Sequence, residues 1–204
     1  MNWIIEENTD NRTIEQLSKE LNVNKIISSM LVKRGIKTFN QAKDFFRPKI
    51  NQLHDPFLMK DMNEAVNRIL QAIENKEPMM IFGDYDVDGT SSVALLSSFL
   101  KDIGAKLSTY IPDRNNEGYG ISLKAIDLAE KNKETLIIAL DCGIKANDQV
   151  QYALKKEIDF IICDHHNPSN QLPNAYAILN PKRKDCKYPF KELCGCGVGF
   201  KLIQ

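Results

Sequence analysis

Three short stretches of this sequence gather side chains that do chemistry together. Gly83-Asp84-Tyr85-Asp86-Val87-Asp88-Gly89 carries three carboxylates at alternate positions, Asp141-Cys142-Gly143 carries a fourth, and Asp164-His165-His166 adds a fifth beside two of the chain's three histidines. Carboxylates and imidazoles crowded into a partly dry pocket repel one another or shift their titration unless something compensates. Divalent cations remove that cost. A mostly oxygen donor set with one or two imidazoles suits Mn²⁺ or Mg²⁺ better than zinc, and the imidazoles tilt the choice towards Mn²⁺. Two ions about 3.5 to 4 Å apart, bridged by a carboxylate, activate water and clamp a phosphoryl group, so the reaction class suggested is phosphoester hydrolysis.

The clusters can meet only if the elements before them end at one place. From Pro78 onward, short apolar runs at 79–82, 107–111, 136–140, 160–163 and 176–179 alternate with helical periods at 91–103, 123–131 and 148–156. This is a βαβ series, which predicts an α/β fold with a mostly parallel sheet and helices on both faces. Each acidic cluster directly follows a strand, and parallel sheets place their working groups just beyond the carboxyl ends of the strands.

Residues 1–76 read as a small N-terminal helical region without chemistry of its own, followed by the α/β domain at 77–204. Thr13 with Gln16 and Thr38 with Gln41 form capping-box patterns, Asn24 can cap a second helix ended by Gly35, and Asp61 with Glu64 open a stronger helix. That last helix places Met62, Ala65, Val66, Ile69, Leu70 and Ile73 on one buried face. Gly199 to Gln204 read as the first turns of a helix with no C-cap, so the second domain is expected to be truncated at its C-terminal end.

Composition narrows the class. With 204 residues, 43% hydrophobic and 26% charged, the chain is an ordinary globular protein rather than a disordered or fibrous one. It has no apolar run of membrane-spanning length and opens on acidic residues, so neither a membrane span nor a secretory signal is expected, and the expected location is cytoplasmic. Five cysteines make an odd set that suits buried, reduced thiols. Cys194 and Cys196 lack two further soft ligands at zinc spacing. The balance of 27 basic against 27 acidic side chains gives none of the whole-chain positive charge typical of a nucleic-acid binder. Acidic residues clustered around cations would reverse the local field and answer that objection. Asp84 to Gly89 also matches the opening of an EF-hand, but the twelfth position is Leu95, where a bidentate glutamate is required.

The three clusters, in order, resemble the first three motifs of the DHH phosphoesterase superfamily. Arg34-Gly35-Ile36, Asp55-Pro56-Phe57, Lys60-Asp61-Met62, Glu117-Gly118-Tyr119-Gly120, Asn180-Pro181 and Tyr188-Pro189-Phe190 through Gly195 to Gly199 look like its RecJ exonuclease branch. The resemblance implies a DHH phosphoesterase domain at 77–204 and 5′ to 3′ degradation of single-stranded DNA in recombination and repair, with two Mn²⁺ or Mg²⁺ ions and other replication or repair proteins as partners. It implies that Asp84, Asp86 and Asp88 ligate the ions, that Asp141 bridges them and that His165 is a further ligand. His166 would touch the scissile phosphate, with Asp164 orienting the histidine pair. Arg114 reads equally as a phosphate contact or a solvated charge, and Tyr119 as a base-stacking ring or a packing residue. Lys182 and Arg183, with Lys184 and Lys187, form a basic cluster that either contacts DNA or is a solvated loop. A fourth-motif aspartate and the family's second (DHHA1) domain would lie beyond Gln204, so this stretch alone is expected to be inactive. The competing readings are another DHH enzyme acting on oligoribonucleotides, cyclic dinucleotides or pyrophosphate, and a catalytically inactive replication interaction module.

Overall fold

The structure is a computed structural model and describes residues 10–204; residues 1–9 of the expected helical region lie outside the described residues. The chain forms two compact units, one up to Leu53 and one spanning His54–Gln204. In the first, polar caps set where each helix begins. Asp10 caps α1 (Asn11–Leu21), its side chain accepting from the Thr13 amide at 3.3 Å. The helix therefore opens ahead of the Thr13–Gln16 pattern, because the Asp10 carboxylate three residues upstream caps it first, by accepting from the Thr13 amide. Asn24 caps α2 (Lys25–Lys33), Gly35 follows that helix at φ 80°, and Thr38 with Gln41 closes a reciprocal capping box on α3 (Phe39–Phe46).

Among the described residues five strands form one sheet: β1 (Met79–Gly83), β2 (Leu107–Tyr110), β3 (Leu136–Leu140), β4 (Asp159–Cys163) and β5 (Ala177–Leu179). Their order is β2-β1-β3-β4-β5, and every neighbouring pair is parallel. Successive strand side chains face opposite sides, and here both sides are apolar. Met79, Ile81, Leu136, Ile138 and Ile161 pack under α4 (Met62–Glu74), α5 (Val87–Asp102) and α8 (Gly195–Ile203). Met80, Phe82, Ile137, Ala139, Phe160 and Ile162 pack under α6 (Leu123–Lys131) and α7 (Asn147–Leu154). No helix among the described residues is long and apolar enough to cross a membrane, and all five cysteines are unpaired.

The helix at 62–74 belongs to the sheet rather than to the helices before it. Met62, Ala65, Ile69 and Ala72 of α4 join the core beneath the strands, and the second compact unit accordingly begins at His54. Two buried arginines pin this part of the chain. Arg68 of α4 donates to Asp159 at 2.7 Å and to Glu77 at 2.8 Å, and Glu77 also accepts from the Thr135 hydroxyl at 2.7 Å. One guanidinium thus ties α4 to the residues that open β1, β3 and β4. Asp61, expected to cap α4, sits at φ 65° and makes no cap hydrogen bond. Its carboxylate instead accepts from Arg183 at 2.5 Å and from the Ile178 amide at 3.2 Å.

Burial works against ionisation of Glu77, but hydrogen bonds from Thr135, Asn75 and Arg68 outweigh it and hold the carboxyl below its ordinary 4.5. A depressed carboxyl stabilises the fold above its unfolded pKa, and that contribution is lost as pH falls through its folded value. Arg68→Met is therefore expected to cost about 2 to 3 kcal/mol near neutral pH, somewhat less than for a fully buried pair because the two carboxylates keep part of their water. Urea midpoints measured against pH should show the gap to the unchanged protein narrowing below about pH 4.5. A gap independent of pH would mean that packing, not the ion pair, carries the effect.

Candidate metal centre

Register decides which residues meet. Gly83 pairs with Leu140, Leu140 with Cys163 and Cys163 with Leu179, so four strands end level at one edge of the sheet. The next residue of each is Asp84, Asp141, Asp164 and Asn180. The ladder continues one step into this row: the Asp141 amide donates to Cys163 at 2.8 Å and the Asp164 amide to Leu179 at 3.0 Å. β1 and β3 are neighbours although β2 lies between them in sequence, and at such a switch point the loops diverge and leave a crevice.

The turn after β1 is built tightly. Asp86 caps α5 by accepting from the Gly89 amide at 3.0 Å, so α5 begins at Val87 instead of the expected Ser91. Gly89 lies against Asp84: a Cβ there would stand 2.4 Å from the Asp84 carbonyl oxygen and 2.6 Å from its nitrogen, so only glycine fits. Asp84 is buried, burial pushes its pKa above the ordinary value, and its Oδ1 has no hydrogen-bond partner. Asp88 differs from its two companions. Its oxygens accept from the Gly195 and Cys196 amides, each at 2.7 Å, at the start of α8.

Asp141 is the most constrained residue of the row. It adopts φ 62°, a left-handed conformation costly for a residue with a Cβ, and its carboxylate is buried with Oδ1 lacking a hydrogen bond. Burial first, then the negative charges of Asp88 and Asp86, push its pKa up to about 7. The His165 Nε2 lies 3.1 Å from Asp141 Oδ1 and 3.8 Å from Asp88 Oδ2.

Asp164 organises the histidines. Its Oδ1 accepts from the amides of His165 at 2.7 Å and His166 at 3.0 Å, and from His166 Nδ1 at 2.7 Å, while Oδ2 accepts from the Ile144 amide at 2.9 Å. A carboxylate acceptor places the proton on Nδ1 and leaves Nε2 facing outward. Asn180 completes the brace, its amide donating to the His166 carbonyl at 2.9 Å. Its identity alone could not reveal this role, since nothing in the sequence says which carbonyl lies opposite.

Of the expected substrate contacts, the structure brings two to the rim. The Tyr119 hydroxyl is 3.4 Å from His166 Nε2, its ring meets that of Tyr85 edge-on at 6.5 Å, and the Arg114 guanidinium stands 5.3 Å from the Tyr85 ring centre. The loop bearing Arg114 and Tyr119 is braced by Glu117, which accepts from Tyr110 at 2.7 Å and Ser122 at 2.6 Å. Burial would raise the Glu117 pKa, but the Ser122 and Tyr110 hydrogen bonds prevail and lower it to about 2. Arg183 is not available to a ligand. Its guanidinium is buried and donates to Asp61, to the Ile178 carbonyl at 2.7 Å and to Asp185 at 2.9 and 2.7 Å, because a buried cation must find acceptors inside the protein. Lys182 stays at the surface, 3.4 Å from Glu192.

Two sets of donors result. One atom each from Asp84, Asp86 and Asp141, and one each from Asp141, His165 and His166, lie within 4.8 Å of one another, and Asp141 belongs to both sets. These donors fit divalent cations: hard oxygens dominate, and buried oxygens of Asp84 and Asp141 accept no hydrogen bond.

Comparison with known proteins agrees with this geometry. The profile of the DHH family, N-terminal domain, matches residues 78–204. The single-stranded-DNA-specific exonuclease RecJ of Bacillus subtilis is 42% identical over the whole chain, which spans 26% of that protein. The Escherichia coli RecJ is 35% identical over 71% of the chain and 25% of its own length. A crystal structure of exonuclease RecJ bound to manganese superposes with a TM-score of 0.65 at 29% identity, over 71% of this chain and 37% of that one. The chain thus spans about a quarter of the curated relatives' length.

Because the Asp141 pKa is raised from an ordinary 3.8 to about 7, the folded metal-free protein keeps a proton there that the unfolded chain has released. Stability from this residue is present below the unfolded pKa and is lost as pH rises through the folded one. In EDTA, Asp141→Asn is expected to be about 1 to 2 kcal/mol more stable than the unchanged protein near pH 7.5 and about equal to it near pH 4. Parallel stability profiles against pH would show that Asp141 ionises without hindrance.

Proposed function

The chain belongs to the DHH family, and from that membership we propose that it is the metal-binding part of a single-stranded-DNA exonuclease that hydrolyses phosphodiesters 5′ to 3′ with two Mn²⁺ or Mg²⁺ ions. The observation that carries the reading is the sharing of Asp141 by two donor sets at one sheet edge. Asp84 and Asp86 with Asp141 would hold one ion, and Asp141 with His165 and Asp88, whose Oδ2 lies 3.8 Å from His165 Nε2, the other. When bound, the ions supply an activated water and withdraw charge from the phosphoryl oxygens. The protein's own part is positional. Asp164 fixes the His166 ring, which would touch the scissile phosphate beside the Tyr119 hydroxyl, 3.4 Å from its Nε2, and Asn180 holds the His166 backbone in place. Arg114 would meet a phosphate, and the half-exposed Tyr119 ring would stack on a base. Recombination and repair, with replication proteins as further partners, and a cytoplasmic location belong to the same proposal. They draw support from the RecJ relatives and from five unpaired thiols.

The inactive-module reading has little support, because two donor sets that share Asp141 are present. The test uses a protein carrying the whole length of the relatives. Asp141→Ala is expected to lower Mn²⁺-dependent release of nucleotides from 5′-labelled single-stranded DNA by at least about a thousandfold, with the far-ultraviolet circular dichroism unchanged. Normal turnover at saturating Mn²⁺ would remove Asp141 from the site, and a preference for dinucleotides over long strands would favour the oligonucleotide enzymes. Arg114→Ala should weaken strand binding in EDTA and reduce the slope of log K against log salt by about one phosphate contact. An unchanged slope would make Arg114 a solvated charge.

A further inference from the structure

Positive charge is concentrated in the first compact unit. Residues 10–53 hold nine lysines and arginines against four acidic side chains, although the chain in full balances 27 against 27. Part of this charge is used locally: Lys25 meets Glu15 at 2.6 Å, Lys37 meets Asp10 at 3.6 Å, and Arg34 donates to the Met30 carbonyl at 3.1 Å. Lys43 and Arg47 are exposed, and their side chains have no ion-pair or hydrogen-bond partner among the described residues.

These two cations share a face with aromatic rings. Phe39, Ala42, Lys43, Phe46 and Arg47 follow the three-and-four spacing of one side of α3. Buried Ala42 and Val23 floor an open groove, and Phe39 and Phe46, 48% and 59% exposed, line it with Lys43 and Arg47. Phe45 meets Phe46 edge-on at 5.1 Å and is itself exposed. Basic residues in the last turn of a helix suit its dipole. That accounts for the cations but not for the phenylalanine rings left in water beside them.

The ligand that fits such a face alternates anions with flat apolar surfaces. Single-stranded nucleic acid has that order, phosphates between bases, and the face answers it with ring, cation, ring and cation at Phe39, Lys43, Phe46 and Arg47. Seven residues of helix set the two rings about 10.5 Å apart along the axis, roughly the rise of three stacked nucleotides. A duplex keeps its base faces inside its own stack and would leave the rings without a partner. We propose that this face of α3 is a second binding surface for a single strand, in the other compact unit from the metal centre, with Phe39 and Phe46 stacking on bases and Lys43 and Arg47 holding the adjoining phosphates. That the strand is DNA rests on the exonuclease reading above, whereas the surface itself needs no metal ion.

The test measures binding of the 204-residue chain to fluorescein-labelled oligothymidylate of about 16 nucleotides, by anisotropy in EDTA across a salt series. Phe46→Ala is expected to weaken binding about tenfold with the salt slope unchanged, and Arg47→Ala to weaken it while reducing the slope of log K against log salt by about 0.7. Lys131→Ala removes an exposed cation of the second unit and should alter neither affinity nor slope. Equal affinity of the unchanged protein and Phe46→Ala, or equal losses in Arg47→Ala and Lys131→Ala, would overturn the surface. A duplex bound as tightly as the single strand would overturn it as well. So would binding of polyglutamate, lost in Arg47→Ala, by a protein that leaves the oligothymidylate free, since the groove would then belong to an acidic protein segment. Calorimetric titration with Mn²⁺ reads the metal centre separately: no binding there would overturn the exonuclease reading and leave the surface standing, whereas normal Mn²⁺ binding with no effect of Phe46→Ala would do the reverse.

Discussion

Parallel strands that end level set the terms for everything built on them. The pairing of Gly83, Leu140, Cys163 and Leu179 carries the chain into Asp84, Asp141, Asp164 and Asn180 side by side, and three of those four are acidic. Strands spaced about 4.8 Å apart leave such carboxylates no room to separate. The remainder of the site can be understood as ways of tolerating that crowding.

Each carboxylate is tolerated differently. Asp164 is saturated, with four donors on two oxygens, and behaves as a fixed anion that organises the histidine loop. Asp86 and Asp88 each serve a helix N-terminus, Asp86 that of α5 and Asp88 that of α8, where backbone amides and the helix dipole favour negative charge. Of these carboxylates, Asp84 and Asp141 keep a buried oxygen that accepts no hydrogen bond. These two oxygens face the crevice, and a cation is the partner that satisfies them without adding protein atoms.

The edges of the sheet differ in kind. At the opening end of the strands, Arg68, Glu77, Thr135 and Asp159 form one hydrogen-bonded network that ties down α4. At the other end, donors and acceptors are deliberately unbalanced towards acceptors. The left-handed Asp141 lies at this second edge. The same division explains Arg183, which lies next to the basic Lys182 in sequence but is drawn inward by Asp61 and Asp185.

The sequence by itself determined the sheet, the helices on both its faces and the three clusters at strand ends, because strand runs, helical periods and strand-to-loop junctions are local patterns. It also marked Asp84, Asp86, Asp88, Asp141 and His165 as a group, by their residue types at those junctions. Tertiary structure alone decided the rest. Asp88 has the same spacing as Asp84 and Asp86, yet its partners lie 107 and 108 residues away. Arg183 is a surface cation by composition and an internal one by contact. Asp61 stands where a cap belongs but serves an arginine 122 residues on. A side chain's type limits what it can bond, and only the folded chain fixes which of the possible partners comes within about 3 Å.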